Sequence, residues 1–435
     1  MRRADRCLCL LVGVVLAAVP ASSQEGPVTF EFNFSNPGAR SMGLGGAFAA
    51  LADDATAAFA NPAGLVQLIE PEVSLEGRSW SYDVPFVSGG RTSGVPTGIG
   101  IDTFGGLRYD VSSSTANGLS YLSFVYPGDG WSVAVYRHRW ANFSVTRQID
   151  SLFGIVDGEL ERAEDILATT DLEVTNNGFV GAYELTDELS VGGGFVYYQA
   201  RIDSRSQEFA VEDEDFFAPN PREPDLIDTT YTLGGNDSGL TFHTGFSWRP
   251  NPRWSFGGYF REGPDLTMDV TEVVGPSNDE AEEGTVELDV STPLRLPSVY
   301  GLGAAFRTLE GALTFSFEWN RVHYSSITES LDTNVFDPGQ IALSDGNELH
   351  FGTEYVFQAA QQVFALRFGA WRDPAHGLDS GPDADVFERA VFDGGAADIH
   401  VAAGVGVVFS HIQFDFGLDL SDTADLLSLS IVYRF

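Results

Sequence analysis

Seven histidines, His138, His243, His323, His350, His376, His400 and His411, are the side chains of this sequence best suited to proton transfer. No two of them stand at a spacing that builds a site. A hydrolase needs Ser, His and a carboxylate brought together, yet the chain has neither a Gly-x-Ser-x-Gly elbow nor a His-Glu-x-x-His helix. Gly43-Leu44-Gly45-Gly46 is a phosphate loop only in outline: no strand precedes it, and the chain has no Lys to complete a Walker motif. Acidic residues are abundant in Asp150–Glu173, in Asp203–Asp228 and around Asp279, Glu280, Glu282 and Glu283. Their spacing matches no EF-hand, and solvated, self-repelling loops account for them. The expectation is a protein without catalytic residues, metal or cofactor, and not an enzyme.

Other constraints narrow the class. Arg2, Arg3 and Arg6, the apolar run Cys7–Val19 and the small residues Ala21-Ser22-Ser23 have the form of a secretory signal peptide over residues 1–23. The apolar run is too short to span a bilayer. Both cysteines, Cys7 and Cys9, fall inside it, so a processed chain offers no disulfide and no thiolate ligand. A formal net charge of -38 argues against nucleic acid as a partner. No later stretch holds 18 uninterrupted apolar residues, which excludes a transmembrane helix. For an exported, aromatic-rich chain of this length, the remaining way to cross a membrane is a closed β-barrel.

The barrel requires alternating segments of about ten residues. The C-terminus supplies them: Leu427, Leu429, Ile431, Tyr433 and Phe435 share one face, and Ser428, Ser430, Val432 and Arg434 the other. Strands are expected at 71–82, 117–126, 131–145, 170–184, 189–203, 236–249, 253–271, 285–308, 311–325, 347–358, 361–373, 396–409, 411–421 and 425–435, about 14 in all. Tight turns and long connections alternate between them until the last hairpin. Long connections are expected near 83–116, 146–169, 204–235, 272–284, 326–346 and 374–395. Pro293 and Pro297 predict a kink or break in the eighth strand. Glu318, Glu354, Arg249, Arg261, Arg367, Asp415, Asp419, His243 and His350 fall on the inward, polar face, where an Arg could meet a carboxylate head.

One stretch, Asn36–Leu65, does not alternate. A barrel of fourteen strands has an interior wider than side chains fill, so this Gly- and Ala-rich stretch is expected to plug it. Asp53 or Asp54 can cap a short helix over Ala55–Ala60, with Asn61-Pro62 ending it. Gly43, Gly45 and Gly46 permit tight turns against the wall. The run Gly38-Ala39-Arg40, Gly45-Gly46-Ala47-Phe48, Ala52-Asp53-Asp54-Ala55 and Asn61-Pro62-Ala63-Gly64-Leu65 resembles the N-terminal region of the long-chain fatty acid outer-membrane transporter (FadL/TodX-like) family.

The resemblance implies an all-β transmembrane antiparallel barrel with a hatch of short helices in its lumen: hatch 24–70, barrel 71–435. It implies a monomeric channel for passive uptake of hydrophobic compounds, most of all long-chain fatty acids, which leave sideways into the lipid after the hatch shifts. Asp53, Asp54, Phe59, Asn61, Pro62, Ala63 and Gly64 are then the hatch and gating residues. Tyr433 and Phe435 resemble the signal read by the outer-membrane assembly machinery, a further partner beside membrane lipid. The same N-terminal run also resembles outer-membrane components of a protein-secretion system, the alternative function.

Overall fold

The computed structural model describes residues 34–92, 106–211, 216–217, 222–223, 226–274, 286–331 and 341–435. The expected signal peptide, residues 24–33 and the acidic run 279–283 lie outside them.

Fourteen antiparallel strands close on themselves. They are β1 Glu72–Arg91, β2 Leu107–Pro127, β3 Trp131–Val156, β4 Asp165–Thr186, β5 Leu189–Phe209, β6 Ile227–Asn251, β7 Trp254–Val274, β8 Val286–Thr308, β9 Leu313–Val322, β10 Gly346–Ala359, β11 Gln362–Asp373, β12 Asp398–Phe409, β13 Ile412–Leu420 and β14 Ala424–Arg434. β7 is interrupted at 262–264 and β8 at 296–298. The ring closes where β14 pairs with β1, from Glu72↔Arg434 to Tyr82↔Ala424. Across the apolar belt closure leaves no sheet edge, the condition for backbone inside lipid.

Alternation sets the two faces. Every strand presents a large apolar side chain outward: Leu75, Phe124, Val135, Phe179, Phe195, Phe246, Trp254, Leu302, Phe317, Phe351, Leu366, Val405, Phe414 and Leu429 are all exposed. Water would not tolerate such a continuous apolar belt; lipid does, and the chain is an integral barrel of the outer-membrane type. The sequence leaves the two faces of β2 undecided, and the structure turns Leu122, Phe124 and Tyr126 outward and Tyr121, Ser123 and Val125 inward.

The expected long connections are shorter than the sequence reading gave them. β1 to β6 run on for 20 to 26 residues. They take in 83–91, 107–116, 146–156, 165–169, 204–209 and 227–235. These parts expose many polar residues, as at Ser113, Thr115, Gln148 and Arg205, so hydropathy alternation fades above the lipid while the ladder continues. The break foreseen from Pro297 is present at 296–298 and is matched by 262–264 in the neighbouring strand. Leu296 N–H donates to Pro264 O at 3.0 Å and Gly263 N–H to Ser298 Oγ at 3.0 Å, which holds the two breaks level. Pro293 stays in the ladder opposite Thr267.

Inside the barrel lie α1 Ala39–Gly43, α2 Ala57–Ala60 and a 3-10 helix Pro62–Gln67. Two further short helices, α3 Ser325–Ser330 and α4 Glu388–Val391, belong to the outer loops.

Candidate functional site: a plugged lumen and a slit in its wall

The expected plug is in the lumen, and nearly all of Asn36–Leu65 is buried. It is held by a close steric seat, by wall carboxylates that accept its amides, and by a chain of ion pairs.

The seat is made of glycines. Four cross-strand pairs, Gly192↔Gly245, Gly257↔Gly303, Gly352↔Gly369 and Gly404↔Gly417, present bare backbone to the hatch. A Cβ at Gly192 would stand 2.5 Å from Ala63 N, one at Gly352 2.5 Å from Leu44 O, and one at Gly417 2.6 Å from Ala39 O. The hatch answers with its own glycines: Gly45 and Gly46 have φ of 60° and 81°, which only glycine adopts at low cost.

The wall carboxylates replace partners that so short a segment cannot supply itself. Glu318 Oε2 accepts the N–H groups of Phe48 at 2.8 Å and Ala49 at 2.7 Å, and Oε1 accepts the Tyr259 hydroxyl at 3.1 Å. Glu72 Oε2 accepts Ala55 N–H at 3.1 Å. The ion pairs form a chain Asp53–Arg40–Glu354–Arg367–Asp415. Arg40 meets Glu354 through Nε at 3.0 Å and Nη2 at 3.1 Å, a two-pronged contact with directional strength.

The named hatch residues take distinct places. Asp53 pairs with Arg40 and, at 3.9 Å, with Arg307. Asp54 accepts the N–H of Thr56 at 2.9 Å, forming a turn. Neither carboxylate caps α2: Thr56 is its N-cap, with no side-chain cap bond. The expected helix also starts later, at Ala57, because the Asp54–Thr56 turn uses the preceding residues. Asn61 ends α2 as expected, and then its Oδ1 accepts Ala63 N–H at 3.2 Å and starts the 3-10 helix. Its Nδ2 donates to Ala49 O and Phe246 O, each at 2.9 Å, tying two hatch turns to β6. Pro62 and Ala63 rest on Gly192, and Ala63 O accepts Ser190 Oγ at 2.8 Å. Gly64 packs on Ala52 O with no room for a Cβ. Phe59 enters a wall pocket 4.5 Å from the His138 ring, with the Arg261 guanidinium 4.1 Å over its face.

The inward charges of the sequence reading do face the lumen, and most of them serve the hatch, while Asp419 pairs with Trp371 and His400 of the wall. Arg249 donates to Gln67 at 2.9 Å, Arg261 to Asn36 Oδ1 at 2.6 Å and Ala60 O at 3.0 Å, and His350 to Gly45 O at 2.8 Å. Arg249, Arg261 and Arg367 each hold a protein partner, and Arg261 keeps Nε and Nη1 without one. The sequence reading missed Arg40, Glu72 and the glycine pairs. Glycines at inward positions of successive strands were the signal that would have revealed the seat.

Above the hatch the lumen is aromatic. Phe34 stands edge-on to Trp140 at 5.1 Å and to Tyr324 at 5.5 Å; Trp140 meets Tyr198 at 5.5 Å and Trp80 meets Tyr82 at 5.5 Å.

Beside this chamber the wall is incomplete. β2 and β3 pair only from Pro127↔Ser132 to Tyr121↔His138. At that point each strand carries an extra residue, Ser120 in β2 and Trp140 in β3. Bulges bend a strand, and Trp140 is turned into the lumen. Beyond them β2 continues along β1 and β3 along β4, leaving a slit between β2 and β3. It opens where the apolar belt ends at Leu119. β1 and β3 meet again in parallel at Gly89↔Asp150 and Arg91↔Phe153, which closes it above. Side chains stand in for the missing ladder: Ser144 N–H donates to the Tyr82 hydroxyl and Thr146 N–H to Ser112 Oγ. A groove of about 480 Å³ follows the slit, with Tyr82, Phe143 and Leu172 inside and Asp171, Glu173, Arg201 and Asp203 on the rim.

No family profile and no curated protein matches the sequence. Solved structures do match in fold. A Pseudomonas aeruginosa FadL homologue superposes with a TM-score of 0.60 at 12% identity, covering 94% of this chain and 100% of its own. The Pseudomonas putida toluene transporter TodX gives 0.58 at 13% identity over 92% of this chain and 98% of its own. The CymD monoaromatic hydrocarbon channel gives 0.57 at 15% identity over 93% and 99%. The chain has the fold of the FadL/TodX-like channels along its whole described length, as the Gly38–Leu65 run led one to expect.

Proposed function

We propose that this chain is an outer-membrane channel for the passive passage of hydrophobic small molecules, with no catalytic step. The observation that carries the reading is the adjacency of three parts: an aromatic chamber, a hatch that blocks the axial route below it, and a slit in the wall beside it. An apolar molecule reaching the chamber gains about 25 cal/mol per Å² of buried apolar area. The acidic hatch network offers it nothing, so the favourable exit is sideways through the slit to the lipid. Hatch movement, with Asp53, Asp54, Phe59 and Asn61–Gly64 as its moving contacts, makes room for the guest. The fold shared with proteins described as a toluene transporter and a monoaromatic hydrocarbon channel supports a hydrophobic cargo. Long-chain fatty acids are the narrower cargo that the hatch run implies.

The test is uptake of labelled toluene and labelled oleate by an outer-membrane transport-deficient host carrying the barrel. Faster uptake of toluene alone narrows the cargo to small apolar molecules, and of oleate establishes fatty acids. A correctly inserted barrel that speeds neither removes the reading. Co-purification with large exported proteins would then favour the secretion-system role.

A further inference from the structure

We infer that the lumen chamber accepts uncharged apolar molecules that carry a hydroxyl group, and that His400 orients them; the inference rests on the channel reading above and narrows its cargo. A cavity of about 40 Å³ lies between the hatch and the outer loops. One side is aromatic, with Phe34 and Tyr324. The other carries His400, held in a single orientation. Its ring stacks on Trp371 with centroids 3.9 Å apart. Its Nδ1 donates to Asp419 Oδ1 at 2.8 Å, and Asp419 Oδ2 accepts Trp371 Nε1 at 2.8 Å.

His400 is 3% exposed, and its Nε2 has no hydrogen-bond partner. A buried polar atom left unpaired is costly, and one on a residue that lines a cavity marks a place for a ligand group. With Nδ1 protonated toward a carboxylate, Nε2 of the neutral ring is an acceptor. A hydroxyl satisfies it and would also accept from the ring if the ring were charged. An ionised carboxylate is the poorer guest: Glu348, Asp373 and Asp419 line the same cavity against His350 and His400, with no Arg among its described lining residues, so a fatty acid would have to enter this chamber uncharged. Like charges at this range repel in inverse proportion to the local dielectric, so burial strengthens the repulsion. A ring-sized guest needs more room than the cavity offers, and displacement of Phe34 from Trp140 and Tyr324 provides it.

The test uses the full chain in nanodiscs at pH 8 and three molecules of one shape: toluene, p-cresol and p-toluate. Binding is measured by equilibrium dialysis against protein-free discs. p-Cresol is expected to bind about fivefold tighter than toluene, as one added hydrogen bond implies, and p-toluate at least about tenfold more weakly than p-cresol. His400→Phe, or His400→Leu where the phenylalanine variant does not fold, should abolish the preference for p-cresol over toluene. Equal wild-type affinities for toluene and p-cresol, tighter binding of p-toluate, or a p-cresol preference that survives in the folded variant each overturns the inference. Failure of all three molecules to bind would instead count against the channel reading itself.

Discussion

Replacing the seat glycines should dislodge the hatch without harming the barrel. Gly192 in β5 and Gly417 in β13 lie nearly opposite each other in the ring. Neither has a positive φ, so alanine fits both backbones. Its methyl does not fit the hatch: the added carbon would stand 2.5 Å from Ala63 N at one site and 2.6 Å from Ala39 O at the other. Ordinary carbon contacts begin near about 3.4 Å, and relieving overlaps of this kind costs about 1–3 kcal/mol each. Two sites on opposite walls cannot both be relieved by a single sideways shift, so the costs add to about 2–6 kcal/mol.

Each 1.4 kcal/mol is tenfold, so the unseated population should rise by about 30-fold or more. Gly234→Ala is the control, since its nearest neighbour, Ile202 O, is 3.8 Å away. In planar bilayers the Gly192→Ala/Gly417→Ala protein should show frequent open events that the wild type and the control lack. Heat-modifiable migration on gels should remain normal in all three. A folded double variant with wild-type conductance would refute the seat, because the hatch would then tolerate the overlap or not fill the lumen.

Deleting Asn36–Leu65 altogether should give a large, steady conductance; an unchanged trace would mean the stretch does not occlude the pore. Tyr82→Phe removes the acceptor of Ser144 N–H and weakens the closure of the slit by about 1–3 kcal/mol. Amide exchange at Ser144 and toluene uptake should both quicken, and unaltered exchange would show that the slit is held shut by other groups. Glu318→Leu strands the amides of Phe48 and Ala49 and the Tyr259 hydroxyl, at about 1–3 kcal/mol for each. The two hatch amides should lose exchange protection while β9 keeps its own. Phe435→Ser should cut the yield of barrel inserted in the outer membrane severalfold, read by protease protection of whole cells; full yield would separate Phe435 from any role as an assembly signal.

Much of this architecture was legible in local pattern. The outward Phe and Leu residues of each strand, the alternation of tight and long connections, the break near Pro297 and the one stretch that fails to alternate are all properties of neighbouring residues, and period-2 hydropathy reports them directly. The inward charges were legible for the same reason, since Glu318, Glu354 and Arg367 occupy the face opposite the apolar one. Their purpose was not. Glu354 meets Arg40 across a separation of 314 residues, and Ala39 N–H finds Ser430 across 391. Such partners are fixed by strand register and barrel closure, and register is a property of pairs of strands that no single segment encodes. The glycine seat, the slit beside Ser120 and Trp140, and the unpaired Nε2 of His400 arise in the same way. The sequence by itself determined a plugged membrane barrel, because lipid demands a closed ladder with an apolar outside. Only the tertiary structure decided where the plug sits, where the wall opens and which polar atom is left unpaired beside the chamber.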